Sequence, residues 1–389
     1  MSFRTRDKLL LGAVAASGGP ALTGVHALRV SDLAHKTALD TSETNYHQAS
    51  TNTTAPEADG GYSSATFKRR LTGSGVVGTA PREDWLLRGS GLARTTVSGV
   101  AGTSATYVNS ASQPTLTWAA PVGSTVTAGA VITISAGAGA GQRMTLAEWD
   151  GATRTAVLPA AFPVAPDATS KFDILRQHVY TPRLSDYETV VAASYARNKA
   201  DADKSRRKRL AGGAATWVMT FTPGKAVDVA YTLRGVLPGK PDDTPFPASV
   251  TYGPEAAVAP KLMAADIYFG GRECGRFNQL TVDLAAEIDQ APDAGEVFGY
   301  DVAEIMSHKT GGKFTVETLA LDARDPLSDF MTATPRWITA IWGVPGNGFA
   351  LTGEMTVGAS DEEDQKGRTA DGINYRFARP EGWFTLAAF

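Results

Sequence analysis

Three stretches of this chain alternate apolar and polar side chains with a period of two. Val227, Val229, Tyr231 and Leu233 alternate with Asp228, Ala230 and Thr232. Leu280, Val282, Leu284, Ala286 and Ile288 alternate with Thr281, Asp283, Ala285, Glu287 and Asp289. Phe349, Leu351, Gly353, Met355 and Val357 alternate with Ala350, Thr352, Glu354 and Thr356. A helix would spread such residues around its circumference, whereas a strand sends successive side chains to opposite faces. The pattern therefore predicts strands with one face in a core and the other in water. Trp337–Trp342 is largely apolar on both faces and is expected to be covered on both sides. His26–Leu33, Ser64–Leu71, Thr189–Ala196 and Ala215–Phe221 read as further strands.

Helix signals are few. Pro81 suits a first helical turn, Glu83 and Asp84 favour its positive end, and Gly89 or Gly91 would stop it, so a short helix is expected within Pro81–Leu92. Asp325-Pro326 combines a good N-cap with a proline tolerated at the first position, and opens a second short helix to about Thr332. The fold class that follows is mainly β: a β-sandwich or barrel carrying two short helices.

The weakly periodic segments are read as connections. Residues 1–24 form an N-terminal arm with one apolar segment, Leu9–Ala16. Arg4, Arg6 and Lys8 before it and Ala-Ser-Gly-Gly after it resemble a short secretory signal, but an ordered arm is the reading adopted. Residues 34–61 are polar and end in Asp59-Gly60-Gly61, and are expected to be a long loop. Lys204–Arg209, the only dense basic cluster, is read as a polar connector, a solvated hairpin tip or an inter-subunit contact.

Residues 99–176 shift to Gly, Ala, Ser, Thr and Val. Val131–Ser135 reads as a strand, and Arg143–Trp149, Asp150-Gly151 and Thr153–Leu158 as strand, turn and strand. The segment is expected to be a small all-β domain inserted into a core made of residues 1–98 and 177–389. The run Gly137–Gly141 is not a dinucleotide fingerprint, because a strand and turn follow it where a helix would be needed.

No chemical constellation is found. The one cysteine, Cys274, cannot form an intrachain disulfide and reads as a buried thiol. His26, His35, His47, His178 and His308 lack metal-ligand spacing. There is no phosphate-binding loop and no nucleophile elbow. Asp361–Asp364, four consecutive acids, reads as an exposed loop rather than a calcium site, whose ligands are spaced around a turning glycine. No catalytic, cofactor or metal residue is nominated and no enzyme activity is expected. A net charge of −3 gives no global basic field for nucleic acid or anionic membrane.

The order of segments resembles the tail tube (major tail) proteins of long-tailed, siphovirus-type bacteriophages. Leu9-Leu-Leu-Gly-Ala-Val-Ala-Ala-Ser-Gly-Gly-Pro followed by Gly24-Val-His-Ala-Leu-Arg-Val-Ser-Asp-Leu33 looks like that family's arm and first strand. Leu71-Thr-Gly-Ser-Gly-Val-Val-Gly-Thr-Ala-Pro-Arg-Glu-Asp-Trp-Leu-Leu-Arg-Gly-Ser-Gly-Leu92 is similar to its strand, turn and helix. Gly348–Val357 with Gly367–Phe377 looks like its closing strand pair. The resemblance covers residues 5–98 and 180–389. Residues 99–176 depart from it and look like β modules that recur as insertions in phage structural proteins.

The resemblance implies a structural virion protein made in the bacterial cytoplasm. Its hexameric rings would stack into a hollow tube, with residues 34–61 as the inter-ring loop and the inserted domain on the exterior. The implied partners are further copies of the chain, the tape-measure protein, the tail terminator and distal tail or baseplate proteins, and DNA in transit, with no membrane. A conduit for DNA needs a wall that is not basic, and Asp283, Glu287 and Asp289, on one face of one predicted strand, are nominated as lumen-facing. The alternatives are another tail or baseplate ring protein, or a β-rich adhesin or carbohydrate-binding protein using Trp118 and Trp149.

Overall fold

The computed structural model describes residues 8–15, 21–42, 57–110, 113–123, 125–183, 185, 187–198, 200–274, 276–319, 325–364, 369–378 and 384–389. The protein is mainly β, and its two α-helices among the described residues are Asp84–Arg88 and Pro326–Thr332. The second begins where Asp325 accepts a hydrogen bond from the Ser328 amide at 3.0 Å, with Pro326 at its first position and Ala333 in the left-handed conformation closing it.

The organising element is the strand Ser205–Phe221. Its C-terminal half lies between Asp228–Val236 and Phe277–Asp283, while its N-terminal half pairs with Val190–Ala196 and Asp242–Thr244. The change of partners happens at Gly212-Gly213, where the register against Asp228–Val236 shifts between Ala211 and Ala214. Gly212 has φ +48°, a conformation that costs an L side chain strain, so the bend belongs to a glycine.

From this strand the sheet continues in two directions. On one side Asp228–Val236 pairs with Glu57–Arg70, which pairs with Ser31–Ser42. On the other, Phe277–Asp283, Gly311–Glu317, Thr369–Phe377, Asn347–Asp364 and Pro335–Val344 follow in turn. Phe384–Ala388 also pairs with Asn347–Asp364 and carries on to Gln177–Pro182 and Leu92–Val97. The two layers meet through aromatic edges. Trp217 meets Phe384 at 5.8 Å and 84°, and Phe221 meets Trp342 at 5.2 Å and 85°. Edge-to-face rings add about 0.5–1.5 kcal/mol to their apolar burial. Trp337–Trp342 is buried throughout, on both faces.

Residues 100–174 build two four-stranded antiparallel sheets. Their core joins Trp118, Ile132, Ile134, Met144 and Phe172 to Val97, Val179, Ile341, Ala350 and Phe389, so it is continuous with the outer face of the larger sheet. The Asp150-Gly151 turn joins Glu148–Asp150 to Thr155–Val157 as an antiparallel hairpin.

The apolar segment of the expected ordered arm is a strand, Lys8–Val14, paired along its whole length with Val190–Ala196. Four sequence expectations need correction. His26 belongs to a single 3-10 turn, Gly24–His26, and the first long strand after it is Ser31–Ser42. The expected loop 34–61 is a hairpin on both sides of residues 43–56, which lie outside the described residues. Ser205–Arg209 opens the long strand and is not a connector. Asp361–Asp364 ends the strand Asn347–Asp364 and is not a loop, and Gln365–Gly367 lie outside the described residues.

Candidate assembly surfaces

Among the described residues no group of three or more His, Cys, Asp or Glu side chains is placed to hold a metal ion, and no helix is long and apolar enough to cross a membrane. Cys274 is buried. The features that stand out are edges and patches.

The first is the outer edge of the hairpin. Among the described residues Ser31–Ser42 pairs on one side only, with Glu57–Arg70. In an antiparallel pair, alternate residues turn both backbone groups away from the partner strand. The Leu33 carbonyl accepts from Lys8 Nζ at 2.9 Å and the His35 carbonyl from Lys208 Nζ at 2.5 Å. Lysine ammonium groups thus occupy the start of the edge. Beyond His35 the same alternation turns the backbone groups of Thr37 and Leu39 outward, and the Leu39 side chain is 54% exposed. An open edge of this kind is a template for another strand.

His35 fixes this hairpin to the layer beside it. Its Nδ1 lies 2.7 Å from Ser194 Oγ and its Nε2 2.8 Å from Ser63 Oγ. Ser63 Oγ in turn donates to the Arg209 carbonyl at 2.9 Å. Burial, and then the charge of Lys208, push the imidazole down to about 4.

The basic cluster is the second surface, and its strand alternation divides it. Arg207 pairs with Asp242, with Nε 2.9 Å from Oδ1 and Nη2 2.5 Å from Oδ2, and Arg209 lies 3.8 Å from the same carboxylate. Arg206 and Lys208 point the opposite way, into a cavity of about 200 Å³ lined also by Lys8, His35, Ser194 and Tyr195. Lys8 and Arg206 are both in register with Ala196, so they flank it on one face. Burial, then Arg206 and Lys8, hold the Lys208 ammonium below its ordinary range.

The helix Pro326–Thr332 provides the third surface. Leu327, Phe330 and Met331, one face at helical spacing, are 60%, 49% and 77% exposed. Arg336 anchors the helix through Asp329, at 3.0 and 2.5 Å.

The three nominated acids do not share one strand. Phe277–Asp283 ends at Asp283, whose carboxylate accepts from the Ala285 amide at 2.8 Å. Ala285 then takes φ +45°. Glu287 and Asp289 belong to a separate two-stranded hairpin, Ala286–Asp289 with Glu304–His308. Glu287 is exposed and meets Ser307 at 2.9 Å and Lys309 at 3.1 Å, contacts that hold its carboxyl below the ordinary range. Asp289 is exposed. Trp118 is buried, donates its indole N–H to Thr103 Oγ1 at 3.2 Å and packs edge-on against Trp149, so the pair offers no exposed aromatic ridge.

Sequence reasoning missed Lys8 and the edge strand. The available signal was the alternation of buried Leu33 and His35 with Ala34 and Lys36, a pattern that polar His35 concealed. No protein-family model matches the chain, and no curated protein matches it.

Proposed function

We propose that this chain is a structural subunit of a long-tailed bacteriophage, the tail tube protein. Hexameric rings of it would stack into a hollow tube, filled first by the tape-measure protein and crossed later by DNA, with terminator and distal tail proteins at the ends. The observation that carries the reading is the open edge at Thr37–Ser42, set in a mainly β sandwich. Lysines guard the edge on one side only. A monomer that leaves such an edge unpaired is exposed to promiscuous pairing, and a closed ring removes the hazard. An edge that meets a different surface on the next copy makes a heterologous contact, which closes when its rotation permits. The apolar face of Leu327, Phe330 and Met331 is a further surface that assembly would cover.

Negative-stain microscopy of the purified full chain tests the proposal. Rings or tubes are expected. Protein that stays monomeric at high concentration, including in the presence of a tail initiator, overturns it.

A further inference from the structure

We propose that the cavity between Lys8, Arg206 and Lys208 receives the Asp361 and Glu362 carboxylates of a second copy of this chain, an inference that rests on the self-assembly reading above. Three cations converge on this cavity, and none of them forms an ion pair among the described residues, although Asp243 stands across the strand from Arg206, in contrast to Arg207 and Arg209 on the opposite face. The two lysines spend hydrogen bonds on the carbonyls of Leu33 and His35, which leaves their charges uncompensated. Gathering like charges in a partly buried place is unfavourable in the lone subunit, and an anionic group relieves it.

The chain carries a matching anion. Asp361 and Glu362 are exposed, have no ion-pair partner among the described residues, and sit in a run of four acids. Strand register places the acids beyond the C-terminal end of Ser205–Phe221, whose N-terminal end carries the two basic residues. Phe221 is level with Leu280, Leu280 with Phe314, and Phe314 with Ile373. Glu362 pairs with Asp371, beyond that level, while Arg206 and Lys208 lie at the other end of Ser205–Phe221. The path along the intervening strand is on the order of 45 Å at about 3.3 Å per residue, with a bend at Gly212, and neither Asp361 nor Glu362 lines the cavity of its own copy. They can reach the cavity of the next copy in a head-to-tail arrangement, which is the heterologous contact a repeating assembly needs.

The test compares Arg206→Glu/Lys208→Glu, Asp361→Lys/Glu362→Lys and a chain carrying all four changes, by sedimentation velocity and microscopy over a range of protein and salt concentrations. Each reversal should raise the concentration needed for half-assembly by about tenfold or more, and the four-fold swap should restore it to within about threefold of wild type. Added salt should weaken wild-type assembly. The acidic pair is exposed, so that variant reports on contact even where the basic pair alters folding; melting curves separate the two. A chain with Arg206→Cys and Glu362→Cys should form a covalent ladder on oxidation, since its native thiol, Cys274, is buried.

Wild-type rings indifferent to both reversals overturn this contact and leave the assembly reading standing. A wild-type chain that never assembles overturns both. Inorganic phosphate that saturates the cavity without affecting assembly identifies an anion site of another kind and also overturns the acidic partner.

Discussion

The indole of Trp85 occupies the space that a Cβ on Gly12 would fill. This contact joins the helix Asp84–Arg88 to the strand Lys8–Val14, and it explains why that strand carries a glycine within its apolar run. Gly12→Ala should displace the indole and cost about 1–3 kcal/mol through overpacking. The lower urea midpoint would measure it, and an unchanged midpoint would show that the helix shifts freely.

His35 should make stability depend on pH. Its folded pKa, about 4, lies below the ordinary value of 6.5. Between these values the unfolded chain binds more protons, so the stabilisation is complete above about pH 6.5 and drains away as pH falls towards 4, by roughly 3 kcal/mol. His178 and His308, also lowered by burial, act in the same direction. His35→Asn should flatten most of the decline in melting temperature across that window.

Arg69 and Glu83 form a buried pair at 2.5 Å, with Glu255 on the other side of the guanidinium at 2.8 Å. Burial raises the Glu83 carboxyl and Arg69 holds it back. Arg69→Met should destabilise by about 3–5 kcal/mol because it strands a buried charge, and adding Glu83→Gln should recover part of the loss. Chemical denaturation of the single and double variants measures both.

Leu39→Lys places a charge on the open edge, where it breaks no intrachain hydrogen bond. Stability should change by less than about 0.5 kcal/mol while, under the tube proposal, ring formation should fall sharply. Equal assembly by the variant and the wild type would mean that this edge is not an inter-subunit strand.

Under the tube proposal, Glu287→Lys with Asp289→Lys should slow DNA ejection and leave tubes intact, because lysines in the wall would bind phosphate. Normal ejection kinetics from such particles would remove these acids from the lumen.

The architecture was legible wherever a core face is apolar. Tyr231, Leu233, Phe349 and Leu351 announce their strands, and Asp325-Pro326 announces its helix, because the relevant physics is local. The strands Ser31–Ser42 and Glu57–Arg70 were legible only in part, within Ser64–Leu71 where Phe67 is buried, since elsewhere their buried face uses His35, Gly61, Ser63 and Arg69, whose burial depends on distant partners. Arg206–Arg209 looked like a connector because charge on both faces hides alternation; only Asp242 on one side and the cavity on the other distinguish the two pairs. The break at Ala285 leaves the apolar count undisturbed, so Asp283 and Glu287 appeared to share a face that the backbone divides.

Under the tube proposal, the lysines at Leu33 and His35 would also act as an end-stop. A neighbouring strand that adds to Thr37–Ser42 would slide only until it meets them. Backbone pairing tolerates many alignments, and a fixed stop reduces them to one. The angle between successive copies, and with it the number that complete a turn, would then be set by two ammonium groups acting as a gauge.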